Sequence, residues 1–510
     1  MKTIKKLITT GSILFLLLIV GSCSNNFDDL NDNPDATTEG NAAMLCTNVV
    51  LRVTKFGGKD AKAMISDNAL PKYVGYANEG QLSSQYNLIG GSSFGDMTIL
   101  PNIDKMVEYA TGSTMENSYK GVGKFATALM FYKLTMEMGD IPFSEANLGQ
   151  DGVYKPKYDS QEAVLIGVLN NLKEADQFFA NGITFTGDPT PYNGNPAKWR
   201  KATNAFALKV LMSLSKKETV ASLDIKNRFA TIVAGGNLMD ATTGFYGLSY
   251  SSTNKHPLSG TSDLFTSKTI LSSLLVDNLK NLNNDRRLFY YAQPAAAQIT
   301  AGKTVSDPAA YVGVDVAMNY SQMNLGHSAG AYSLINKRYL MQDATEPLRM
   351  MTYAEQELIL AEAIIKGWIT GSAQTRYENG VKAALTDVMA VTSSYAGQVI
   401  NSAYINAYFV GEAAFKTTPA DQLKQIWMQR YILNFMQEAE TSFFEYRRNT
   451  YPIFPINAAT SLNAGNLSGI PMRWTYPSSE NSVNRNNLIK ALDSQYEGYD
   501  EINKIMWVLK

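Results

Sequence analysis

Apolar residues recur at helical spacing over several long windows of this chain, and turn-forming residues separate the windows. From Tyr119, the positions Val122, Ala126, Leu129 and Met136 step along one face until Gly139-Asp140-Ile141-Pro142 ends the run. A glycine terminates such a helix and the following proline cannot continue it. Asp159-x-x-Glu162 has the form of a capping box, and Leu165, Leu169, Leu172 and Phe179 follow as an apolar face that Asn181-Gly182 stops. A third helix is predicted from Trp199 through Phe206, Val210 and Leu214, after a turn-rich link at 187–196. Leu271, Leu275, Leu279 and Leu282 predict another. Thr352-x-x-Glu355 opens the clearest helix, with Ala354, Leu358, Ala361, Ile365 and Trp368 in phase. Past Gly371, Tyr377, Val381, Ala384 and Val388 keep the same rhythm. Small residues on both faces let these two helices approach closely as an antiparallel pair. A last long helix carries Leu423, Trp427, Tyr431 and Phe435, and the tail beyond Pro452 reads as mostly loop. The pattern is that of an all-α protein with helix pairs about the size of a tetratricopeptide unit, although the repeat signature is absent.

Between the helical windows the pattern breaks down. Tyr73, Tyr76, Tyr86 and Phe94 lie among Gln81, Gln85 and Asn87, with Gly80, Gly90 and Gly91 interrupting regular structure. Rings on glycine-flanked, amide-rich loops make flat apolar faces beside hydrogen-bond donors, which suits sugar rings. The same tyrosines could equally pin a long loop to the core, and periodicity does not choose between the two. The stretch 238–262, with Phe245, Tyr246 and Tyr250, is expected to add a second lip to a binding surface. Residues 293–344 read as an irregular, loop-dominated insert.

The N-terminus follows a different logic. Lys2, Lys5 and Lys6 precede the apolar run Ile13–Val20 and then Gly21-Ser22-Cys23. The run is too short for a stable span of about 20 residues, so it reads as a secretory signal. Val20-Gly21-Ser22-Cys23 resembles the lipobox of bacterial lipoproteins, which implies cleavage before Cys23 and lipid on its thiol. Residues 1–22 are then the signal and 23–40 an acidic, flexible tether. An ordinary signal peptide with an incidental Cys23 is the alternative.

Composition narrows the function. Lys and Arg total 45 against 46 for Asp and Glu, so no net field attracts nucleic acid or an anionic membrane surface. Membrane association must come from lipid. With Cys23 lipidated, Cys46 has no disulfide partner in the chain. Two histidines, His256 and His327, leave almost nothing for zinc sites or imidazole-dependent triads, and both read as loop residues. No metal and no cofactor are expected. Glu355 and Glu362 could be mistaken for a glycosidase pair, but their place in a cap and a packed face assigns them to structure. Arg447 and Arg448, beside Glu440 and Glu445, read as fixing helix ends. The five tryptophans are assigned mostly to packing.

The order of short motifs carries a resemblance. Gly139-Asp140-Ile141-Pro142-Phe143-Ser144-Glu145-Ala146, Pro156-Lys157-Tyr158-Asp159-Ser160-Gln161-Glu162 and Trp199-Arg200-Lys201-Ala202-Thr203-Asn204 come first. Tyr353-Ala354-Glu355 with Ala361-Glu362-Ala363, Tyr446-Arg447-Arg448-Asn449-Thr450-Tyr451-Pro452 and Ile470-Pro471-Met472-Arg473 follow. Together they resemble the SusD/RagB family of outer-membrane nutrient-binding lipoproteins, most closely its SusD-like subgroup. The resemblance implies one helical domain over 41–510, a SusC-like TonB-dependent transporter as partner, and ligand-binding loops. It further implies a cell-surface protein, anchored in the outer membrane by lipid, that captures oligosaccharides without breaking bonds. The RagB side of the family implies peptides as the alternative ligand, and a surface glycoside hydrolase is a third reading. Ligand contacts are expected at Tyr73, Tyr76, Gln81, Tyr86, Asn87, Phe94 and Tyr246. Where relatives tend to carry a tryptophan ahead of the first helical region, this chain has Phe94-Gly95-Asp96-Met97.

Overall fold

The computed structural model describes residues 40–54, 60–77, 82–260, 268–392 and 394–510. The expected signal, Cys23, most of the tether, and Gln81 lie outside them. Three helices precede the one expected from Tyr119: α1 (Ala42–Val53), α2 (Ala61–Ala69) and α3 (Leu100–Ala110). Then come α4 (Glu116–Met138), α5 (Gln161–Ala180), α6 (Pro196–Ser213), α7 (Ile225–Ala234) and α8 (Ser273–Asn281). Helix α9 (Tyr320–Ser328) interrupts the loop-dominated insert. The pair α10 (Tyr353–Ile365) and α11 (Ala373–Val391) is followed by α12 (Pro419–Leu433), α13 (Ala439–Asn449) and α14 (Arg485–Tyr496). Among the described residues the strands form only short two-stranded ladders, and the fold is all-α. Val74–Tyr76 (β1) and Phe245–Leu248 (β2) pair antiparallel with Thr269–Leu271 (β3) and Leu348–Thr352 (β4), respectively.

Helices α4 and α5 form one antiparallel pair and α10 and α11 another. In each, a glycine brings the axes together: a Cβ at Gly121 would lie 2.8 Å from the Phe179 ring, and one at Gly380 2.8 Å from Leu358. The caps explain the helix starts. Thr352 Oγ1 accepts from Glu355 N, as the capping pattern predicts. Helix α5, by contrast, is capped by Ser160, whose Oγ accepts from Ala163 N. Asp159 instead binds the backbone N–H groups of Phe143 and Ser144, tying the Gly139–Pro142 turn to the start of α5. The tail, expected to be mostly loop, contains α14, which closes that turn: Tyr496 Oη donates to Met138 O, and Gln495 Oε1 accepts from Asp140 N.

The centre of the helical body is ionic. Arg448 donates to both oxygens of Glu362 (2.6 and 3.0 Å) and to Glu445. Arg430 reaches Glu445 (2.7 Å) and Glu355 (3.3 Å), Lys209 bridges Glu355 and Glu438, and Lys133 also meets Glu438. Four cations face four carboxylates, which is how so many buried charges are tolerated. Arg447 differs from the expectation that it pairs with glutamates. It donates to Met472 O and Met136 O and lies over the rings of Phe443 and Phe444.

Candidate functional site

Five of the seven expected ligand residues are in the interior. Tyr73 is fully buried; its hydroxyl donates to Tyr431 O and shares a hydrogen bond with Ser442 Oγ, and its ring stacks on Tyr431 at 4.3 Å. Tyr246 is fully buried between Phe125 and Trp199, on a strand rather than on a lip. Tyr76, Tyr86 and Asn87 are at most 4% exposed. A ring closed in on both faces offers no surface for a sugar to stack on, so these side chains pin the loop. Phe94 is half-buried, meets Tyr158 edge-on, and is not grouped with the others. The structure does gather Tyr76, Tyr86 and Asn87 in one place, around the loop at 82–89.

That loop supports the insert. Gln85 Oε1 accepts from Tyr76 N while its Nε2 donates to Val316 O (3.0 Å), and Tyr86 Oη donates to Met318 O (3.0 Å). From the tail, Leu462 N donates to Tyr86 O and Thr460 Oγ1 to Ala317 O. A satellite core of Ala77, Ile270, Val314, Val316 and Met323 lies beneath. Gly75 leaves the room it needs: a Cβ there would come within 3.0 Å of Met323 Sδ.

Above this base, α9 and the chain around it form a ridge that faces solvent. Asn319 caps the helix by accepting from Ser321 N, and Met323 points inward. Ser321, Gln322, Asn324 and Leu325 are exposed, while Tyr320, His327 and Tyr332 are half-buried. Tyr332 lies against Gly326, where a Cβ would stand 2.5 Å from its ring. Two partly exposed tyrosines beside amides and hydroxyls provide what a sugar needs: an apolar face for its C–H groups and partners for its hydroxyls. His327, which belongs to α9 rather than to a loop, is held below its usual value by burial and by Lys268, so near neutrality it is an uncharged hydrogen-bonding group. Sequence reasoning flagged the insert but not Tyr320 and Tyr332; the signal was Asn319-Tyr320-Ser321-Gln322, an N-cap followed by a helix with one inward-facing methionine.

A second opening lies on the helical body. Helices α3, α4 and α5 enclose an open groove of about 690 Å³ floored by Phe131, Phe143 and Phe178. Lys120 and Lys124 at its edge are paired with Glu116 and Glu174, so the rim does not select for charge. Glu355 and Glu362 are engaged by arginines and a lysine, and His256 is buried, its Nδ1 accepting from Leu258 N. Among the described residues no group of three His, Cys, Asp or Glu side chains is placed to hold a metal ion. Nor is any helix among them long and apolar enough to cross a membrane.

The structure is thus a helical body carrying a loop-built polar and aromatic ridge. Residues 34–477 match the SusD-like family described as "starch-binding associating with outer membrane", and the chain belongs to that family. Two SusD homologues of Bacteroides fragilis share its structure: one at 36% identity and a TM-score of 0.88, the other at 32% and 0.81. Each match covers 92% of this chain and all of the other. A chitin-binding SusD homologue of Flavobacterium johnsoniae, 18% identical with a TM-score of 0.67 over 92% of this chain and 98% of its own, shares the fold. Among curated proteins no sequence matches.

Proposed function

We propose that this protein is a cell-surface lipoprotein, anchored in the outer membrane through Cys23, that binds nutrient oligosaccharides and delivers them to a SusC-like TonB-dependent transporter. Membership of the SusD-like family over residues 34–477 is the observation that carries this reading. The ridge at 319–332 is the proposed contact surface, and the work done there is capture without bond cleavage. A single stacked ring contributes little on its own, so affinity at one ridge is modest and capture relies on several contacts made together.

Calorimetric titration against starch, chitin and other plant and microbial oligosaccharides, with a peptide library as a further arm, tests the ligand class. Binding of at least one glycan at millimolar concentration or better is expected. Binding of peptides alone would replace the glycan reading with peptide capture. Replacing Cys23 with serine is expected to release the protein from the envelope fraction, and retention in that fraction would contradict the anchor.

A further inference from the structure

Lys72 is an unusual support for the proposed ligand face. It follows α2 with a left-handed backbone (φ 65°) and is 1% exposed. Its amine donates to Gln85 O at 2.6 Å and to Asn87 Oδ1 at 2.7 Å, both neutral oxygens. A buried ammonium is ordinarily matched by a carboxylate. The elements packed around this one carry Asp67 on α2, Tyr73 and Tyr76 on β1, Tyr86 in the loop, Asp315 and Tyr320 in the insert, and Tyr431 on α12. None of these bonds to it. The residues it holds belong to the loop whose Gln85 and Tyr86 bond Val316 O and Met318 O, directly before the ridge.

We propose that Lys72 is a proton-operated clamp on the ridge: the loop at 82–89 closes on the insert with this amine neutral, and it opens when the amine takes up a proton and is hydrated. The link to ligand capture rests on the reading of the ridge as the glycan face. Burial lowers the amine from 10.5 to about 7 in the closed state, whereas an opened loop returns it to water and its ordinary value. The closed state therefore binds fewer protons. The closing constant is lowest and flat below pH 7, and rises toward tenfold per pH unit between about 7 and 10. Tyr86, pushed up to about 12 mainly by burial, stays neutral across that range and does not contribute.

Pulsed hydrogen exchange of the purified protein between pH 6 and 9.5, corrected for intrinsic exchange rates, reads the clamp without any ligand. Protection at 82–89 and 314–323 is expected to climb several-fold per pH unit above 7 in the wild type and to stay level in Lys72→Met. The ¹³Cε resonance of Lys72 in the wild type is expected to titrate clearly below 10, at a value above 7 to the extent that opening accompanies proton uptake, a reading that does not depend on the variant folding. Protection that is level with pH in the wild type, or a Lys72 resonance that titrates near 10, overturns the proposal. Glycan titrations run in parallel keep the two readings apart. PH-dependent protection without glycan binding upholds the clamp and fails the functional reading; glycan binding with level protection does the reverse.

Discussion

Arg448 shows what single side chains contribute. Its guanidinium, 4% exposed, satisfies Glu362 with two bonds and adds Glu445 and Ser215 Oγ. Arg448→Met would leave Glu362 buried without its main partner, and a loss of about 3–5 kcal/mol in denaturant unfolding is expected. Glu445 gives the network a pH signature. Burial alone would raise its value, but Arg430 and Arg448 outweigh burial and hold it well below the usual 4.5. Its contribution to stability is complete above 4.5 and is lost as pH falls through the depressed value. The stability gap between the wild type and Glu445→Gln should therefore be wide at pH 7 and narrow progressively below pH 4.5, as urea titrations at each pH would show. At this scale the sequence is least legible. Tyr73 and Tyr332 both stand among glycines and polar residues, yet one is sealed between Tyr431 and Phe435 while the other is half-exposed. What decides between them is contact with helices hundreds of residues away, which local composition does not encode.

Among the elements, helix ends are set by one or two atoms. Thr352 caps α10 at 3.0 Å from Glu355 N, so Thr352→Ala should cost about 1 kcal/mol, with Thr352→Ser retaining most of the stability. Gly380 lies where α11 crosses α10, its missing Cβ 3.0 Å from Ala354 O. Gly380→Val should therefore destabilise by about 1–3 kcal/mol through overpacking, measurable as a lowered Tm. The pair α10 and α11 was legible because its apolar stripe, cap and glycine stop all agree. Helices α1 to α3 were not. The first follows a polar leader and carries small residues and Cys46, and α3 starts with Leu100-Pro101 directly after a glycine-rich stretch, so turn signals masked the helical period. Asp159 misled for a related reason: its carboxylate satisfies a preceding turn, and the serine beside it makes the cap.

At the scale of the whole molecule, Ala42–Lys510 form one compact unit in which a helical body supports a loop-built ridge. The body's identity was legible because short motifs mark the places where distant segments lock. Gly139–Pro142 meets α14, Arg473 pairs with Asp500 and lies over Tyr476 and Tyr496, and Arg447–Arg448 enter the core. The proposed ligand face was not legible, since residues 293–344 read only as an irregular insert and carry no periodicity to mark which side chains point outward. The measurement closest to the central claim is a calorimetric comparison of the wild type with Tyr320→Ala and Tyr332→Ala, using the glycan that binds best. The account predicts that each substitution weakens binding roughly tenfold, about 1.4 kcal/mol, with the fold retained and the Tm lowered in Tyr332→Ala, which loses packing against Gly326. Undiminished affinity in both variants would contradict it.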